Sequence, residues 1–336
     1  MYQIAIVACL ALIGAFVFQM VHLPIPWLLG PIVSVMLAQF RFGDFMKWPA
    51  LLRNIGLIIL GVAIGQQFDM SIMSNASNLF IAIIVVNIIL LTFSVLLALI
   101  VTKWTGLSMK TALAATVPGG LSQLVLFAEE EKDIPLAVVT YFHVIRVISV
   151  VLLVPFIVSG QVVEEVTIGE GLSLTLIVLL LGAAFSIYIG KWLRIPVPHF
   201  LTPVLLTLLL QFTPAATPTV PSELLHIAQL LIGAYIGLLL KPHMLKLPKK
   251  TLVAGLVSAL VLLGITAGSS VFVGQWLQLS FATSFLSTAP GGLDQMGLLA
   301  AAVGADISVV TLFQLLRLLL IFLLVLPLLK WFYRRA

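Results

Sequence analysis

Charged side chains are scarce in this chain: Asp, Glu, Lys and Arg make up 9% of its 336 residues, against roughly 25% in an average soluble domain. That scarcity excludes a soluble globular protein and, with it, a folded nucleic-acid-binding module. Cysteine occurs once, as Cys9, which excludes an intramolecular disulfide and a thiolate metal cluster. The five histidines form no His-x-x-x-His, no span carries a carboxylate pair at metal-ligand spacing, and no glycine-rich phosphate loop is present. No cofactor or metal is therefore expected, and the chain is not read as an enzyme. What the sequence has in abundance is apolar surface, 62% hydrophobic residues with a mean hydropathy of +1.24. Its apolar runs reach the roughly 20 residues needed to cross a bilayer, so the expected class is an all-α polytopic membrane protein, with lipid as its main surroundings.

The pattern of prolines, glycines and tryptophans repeats. Pro24 and Pro196, Pro26 and Pro198, Pro31 and Pro203, Gln39 and Gln211, Gly61 and Gly233, Gly65 and Gly237, Trp104 and Trp276, and Pro118 and Pro290 all pair at a spacing of 172 residues. Arg146 and Arg317 pair one residue short of it, and Pro155 and Pro327 restore it. The chain is thus a duplicated unit, with repeats at 1–160 and 171–336 joined by a polar, acidic linker at 161–170. The first half predicts helices near 2–21, 26–40, 50–67, 78–103 and 134–158, with a broken segment at 109–129. The second predicts 171–191, 198–213, 222–240, 251–276 and 306–332, with a broken segment at 281–303. Residues 1–20 read as a retained first span.

Each broken segment carries Pro-Gly-Gly-Leu-x-Gln, at Pro118 and again at Pro290. Proline removes a backbone donor and glycine removes side-chain restraint, so the helix should break there. Lipid cannot satisfy the freed backbone groups, and such a break is tolerated only where protein buries it or a polar cavity faces it. If the segment is re-entrant, each half crosses five times, and 14 of the 17 basic residues fall on one face. The positive-inside tendency makes that face cytoplasmic, with both termini on it. Five crossings is odd, so the second half should sit inverted relative to the first, an architecture used by secondary transporters. A segment that crosses fully would instead move the basic loop 241–250 outside.

The candidate binding residues cluster at the two breaks: Pro118, Gly119, Gly120, Ser122 and Gln123 in the first copy, and Pro290, Gly291, Gly292, Asp294 and Gln295 in the second. A half-helix starting after each glycine pair points amide N–H groups and a positive dipole end at the break, which favours an anion or a carboxylate. Arg146 and Arg317 lie near the middle of their spans, where an arginine costs about 2.5–3.5 kcal/mol unless a partner or water compensates it. His143 and Gln314 stand one turn earlier on the same helix faces. The arginines either neutralise a bound solute, or hold the carbonyls of the broken helices and pair with Asp294 or Asp306, and Asp294 is the candidate coupling group, for H+ or Na+. Asn87, lacking a polar counterpart, is expected to bond a neighbouring helix.

Together, the two Pro-Gly-Gly-Leu-x-Gln copies followed by Asp133 or Asp306 and then Arg146 or Arg317 resemble the bacterial AbrB-type membrane protein family, over nearly the whole chain. The resemblance implies this duplication and a place in the bacterial cytoplasmic membrane. Members of that family are labelled ammonia monooxygenases or regulators of gene expression. A monooxygenase needs a redox centre, for which the spans offer no ligand cluster. The expected function is secondary transport of a small anionic or carboxylate-bearing solute by alternating access. The competing expectation is a membrane-embedded sensor that affects gene expression indirectly, without nucleic-acid contact. Either is compatible with a homo-oligomer.

Overall fold

The computed structural model describes residues 2–68, 76–118, 133–158, 173–213, 218–325 and 327–328, all helix or connecting turn, with no strand among them. In the first half the helices are α1 (Tyr2–Met20), α2 (Pro26–Phe42), α3 (Ala50–Gln66), α4 (Ala76–Thr105), α5 (Met109–Thr116) and α6 (Leu136–Val158). In the second they are α7 (Leu174–Trp192), α8 (Pro198–Leu210), α9 (Ser222–Gly237), α10 (Lys249–Leu277), α11 (Phe281–Thr288), α12 (Leu293–Ala302) and α13 (Ile307–Leu320). Seven helices among the described residues are long and apolar enough to cross a membrane. The lipid-facing character shows on α7, where Leu181, Phe185, Tyr188 and Trp192 line one face and are each more than 60% exposed. In water such a stripe would be a liability. The chain is an all-α polytopic membrane protein.

The duplication carries through to backbone detail. The starts of α1 and α7, α2 and α8, α3 and α9, and α5 and α11 keep the 172-residue spacing, and those of α6 and α13 fall one short of it. Before α2, His22 and Ile25 adopt left-handed backbone (φ 55° and 46°), and before α8 their counterparts Arg194 and Val197 do the same (φ 55° and 47°). A β-branched residue avoids that region because its Cβ crowds the following carbonyl. Finding the same disfavoured turn in both halves makes it a property of the repeat. The predicted helix 306–332 is regular over Ile307–Leu320 and then widens into a π turn at Ile321–Val325, and its last predicted residues, 329–332, lie outside the described ones. Pro327, two residues past the π turn, cannot donate the i−4 bond that a regular helix would require.

The helices gather into two compact units, one of Met1–Met70, Val162–Lys241 and Ala301–Ser308, the other of Ser71–Gln161, Pro242–Ala300 and Val309–Ala336. Each unit takes parts of both repeats, so neither repeat is a compact unit by itself. The predicted linker 161–170 lies outside the described residues.

In the first unit the repeats pack by exchange. A Cβ on Gly61 of α3 would lie 2.6 Å from the Phe200 carbonyl and 2.9 Å from Pro203 on α8. The counterpart Gly233 of α9 meets Leu28 at 2.7 Å and Pro31 at 3.2 Å on α2. Each half's third helix is therefore seated on the other half's second helix, with glycine permitting the close approach. Where α3 and α9 meet, Gly56 does the same against Ala228 and Ile232. Side chains then stitch the exchange: Gln211 donates to the carbonyls of Gly65 (2.9 Å) and Gln66 (2.8 Å), Trp48 Nε1 donates to Leu231 (3.0 Å), and Trp27 stacks on His226.

The second unit is built on α4 and α10, 30 and 29 residues long. Its apolar core joins Leu79, Ile83, Val86 and Leu90 of α4 to Val273 of α10 and to Val309 and Phe313 of α13. Asn87 departs from expectation: its amide donates to Ile83 of its own helix at 2.7 Å. A buried amide one turn from a carbonyl of its own helix needs no partner across an interface.

Candidate functional site

The two half-helices of the second unit, α5 and α11, are built alike. Ser108 and Ser280 cap their N-termini by accepting from the amides of Thr111 and Thr283, both at 3.2 Å. At the other end, Thr116 donates to Ser94 of α4 at 2.9 Å, and Thr288 donates to Thr266 of α10 at 3.4 Å. Each half-helix is tied at both ends before it breaks.

What the break leaves behind follows from proline chemistry. In a continuous helix the amide of residue 118 would serve the carbonyl of Ala114, and that of residue 290 the carbonyl of Leu286; proline can serve neither. His143 Nε2 takes the place of the first missing donor, 3.0 Å from the Ala114 oxygen, and Gln314 Nε2 takes the second, 2.8 Å from the Leu286 oxygen. The carbonyls just before each proline are held by the arginines. Arg146 Nη1 donates to Val117 at 3.2 Å, and Arg317 Nη1 donates to Ala289 at 2.6 Å. Arg317 Nη2 also reaches the Gly291 carbonyl at 2.7 Å. Finally, each arginine donates to the residue one turn before it, Arg146 to His143 Nδ1 at 2.9 Å and Arg317 to Gln314 Oε1. His143, Arg146, Gln314 and Arg317 are all buried.

Both roles envisaged for the arginines therefore bear on the same place: they hold the freed carbonyls, and they bring two positive charges to the breaks. Beyond Pro290, the motif spacing has a local explanation. Gly292 is the N-cap of α12, and Gln295, at the third helical position, reaches back so that its Oε1 accepts from the Gly292 amide at 2.8 Å, as in a capping box. Asp294, buried, stands in the first turn, where a carboxylate is favoured by the helix dipole. The expected anion-seeking helix start thus already carries a carboxylate of its own. Gln295→Ala should cost α12 about 1 kcal/mol, the usual worth of a cap, read as faster amide exchange confined to 292–296.

Pro118 is buried at the end of α5, whereas Gly119, Gly120, Ser122 and Gln123 lie outside the described residues. Asp306, though exposed, caps α13 by accepting from the Ser308 amide at 2.9 Å. Two residues were not singled out from the sequence. Ser287 on α11 and Thr311 on α13 are almost fully buried, and among the described residues neither hydroxyl has a hydrogen-bond partner. Thr311 stands one turn before Gln314, on the face that carries Arg317. Its counterpart Thr140 keeps the same register to His143 and Arg146, and this shared Thr-x-x-His/Gln-x-x-Arg spacing was the available signal.

These features define a duplicated helical membrane protein whose paired broken helices are held by buried arginines. Residues 27–333 match the family model described as transition state regulatory protein AbrB. A Bacillus subtilis (strain 168) protein named "Uncharacterized protein YhjN" is 26% identical, over 96% of this chain and 90% of its own. An Escherichia coli (strain K12) protein named "Putative regulator AbrB" is 29% identical, over 94% of this chain and 92% of its own. The chain belongs to the AbrB family.

Proposed function

We propose that the protein is a secondary transporter that moves a small anionic or carboxylate-bearing solute across the bacterial cytoplasmic membrane by alternating access. The observation that carries this reading is the pair of proline-broken helices at equivalent positions of one compact unit, each holding a buried arginine against its freed carbonyls. Intramembrane arginines and discontinuous helices are costly, and both mark solute pathways in membrane proteins. Support also comes from Ser287 and Thr311, because a buried hydroxyl without a partner costs about 1–3 kcal/mol and a polar solute would satisfy it. In this reading the two repeats are inverted, and the basic loops face the cytoplasm.

The experiment is reconstitution of the purified protein into liposomes with a panel of labelled small carboxylates, followed under H+ and Na+ gradients. Flux above protein-free liposomes is expected; binding without flux under every gradient would sink the transporter reading. Thr311→Val separates function from packing. It should leave the melting temperature unchanged or raised, because it removes an unsatisfied hydroxyl, while flux falls. Full flux in that variant removes Thr311 from the solute path. For topology, single cysteines placed in the loop 241–250 of a Cys9→Ser background should react only with permeant reagents.

A second reading is favoured by the family description and by the regulator name of the Escherichia coli relative: a sensor that binds its solute without moving it. A transporter reaches the same end by setting the level of a metabolite that controls expression, with no nucleic-acid contact.

A further inference from the structure

Each proline break demands the same service from the following helix. One side-chain hydrogen must go to the carbonyl that proline abandons, and one acceptor must be offered to the arginine a turn later. Gln314 meets both demands with an amide, Nε2 on Leu286 and Oε1 toward Arg317. The fold therefore needs no titratable group here. Yet the other half uses an imidazole, and His143 is completely buried.

Its two partners settle its state. The Ala114 carbonyl only accepts, so Nε2 carries the hydrogen, and the Arg146 guanidinium only donates, so Nδ1 is bare. His143 is held neutral with its basic nitrogen against a cation. A proton arriving at Nδ1 would end the bond from Arg146 and set two positive charges side by side. A negative charge placed next to Arg146 would offset both costs.

We propose that His143 is the proton-binding site of the protein, and that it links uptake of one proton to binding of an anion at the Arg146 break. The inference rests on the transport reading and adds the coupling ion to it. Linkage is reciprocal, so anion binding favours the proton and the proton favours the anion by the same factor. Among the described elements, α5, α10, α11 and the turn Pro242–Lys246 make the main contacts with α6. They contribute Lys110, Lys249, Lys250, His243 and Lys246 at their ends. Arg146 brings its charge directly against the ring through their hydrogen bond. Among the described residues of the same unit, Asp294 is the buried carboxylate.

His143→Gln installs the second half's solution in the first. In proteoliposomes given labelled acetate, pyruvate or succinate, an inward gradient of about one pH unit should raise wild-type accumulation of the transported solute about tenfold, the limit for one coupled proton. In the variant the ratio with and without the gradient should fall to about one, whatever its absolute rate. A variant that responds to the gradient like the wild type overturns the proposal while leaving transport intact. Absence of gradient-driven accumulation of all three carboxylates in the wild type overturns it too, and flux driven by Na+ instead would show that only the coupling ion was wrong. A readout on the unmodified protein guards against a variant that fails to fold. The 15N imidazole signal of wild-type His143 in nanodiscs should be the neutral Nε2–H form at pH 7.5 and gain its second proton as pyruvate is added. A ring already doubly protonated without solute, or one unchanged by a solute that the protein transports, overturns the proposal.

Discussion

Arg317→Ala is expected to destabilise the protein by about 1–3 kcal/mol, the cost of a buried acceptor losing its charged donor, because the Ala289 carbonyl keeps Gln314 Nε2 at 3.2 Å and the Gly291 carbonyl is only half-buried. Its guanidinium serves the carbonyls of Ala289 and Gly291 on both sides of Pro290 and also engages Gln314. Arg317→Lys tests whether charge alone suffices. An ammonium is a point donor that cannot span two carbonyls as the planar fork does, so lysine should recover only part of the loss. The measurement is thermal unfolding in detergent, with transport assayed in parallel. A stable but inactive Arg317→Ala would transfer the residue from holding the break to binding the solute. A stable and fully active one would leave it without either role.

Much of the fold was legible because a duplicated sequence states each element twice. The helix starts, the turn before α2 and α8, and the break around Pro290 all follow from residues that recur at one spacing. Part of the site was legible for a local reason: His143 and Arg146, three apart on a helix, had to share a face, and they are hydrogen-bonded. The carbonyls they hold were not legible, because Ala114 and Val117 are fixed by chain segments 29 residues away and backbone groups carry no sequence signature. For the same reason the grouping of α1–α3 with α7–α9 escaped reading: periodicity names the buried face of a helix but not the helix that covers it. Gln295 illustrates an intermediate case. Its spacing from Gly292 is that of a capping box, a pattern open to reading, yet proximity to the break drew attention to a solute instead.

Gly61→Val and Gly233→Val should each prevent accumulation of folded protein, at or beyond the upper end of the roughly 1–3 kcal/mol cost of overpacking. The added Cβ would meet a carbonyl at 2.6 Å in one case and 2.7 Å in the other, and backbone cannot rotate aside as a side chain can. Gly264→Ala and Gly268→Ala are the controls. Both glycines lie within α10 with no neighbour within 4 Å of the added atom, so alanine there should be neutral or stabilise by up to about 1 kcal/mol through helix propensity. The comparison between Gly61 and Gly233 is the sharper measurement. Because α3 sits on α8 in the way that α9 sits on α2, the two valine variants should lose the same fraction of monodisperse protein in size-exclusion chromatography. If one were tolerated and the other not, the matched contacts would not be energetically equivalent, and the exchange of helices between repeats would be a likeness of shape without a likeness of function.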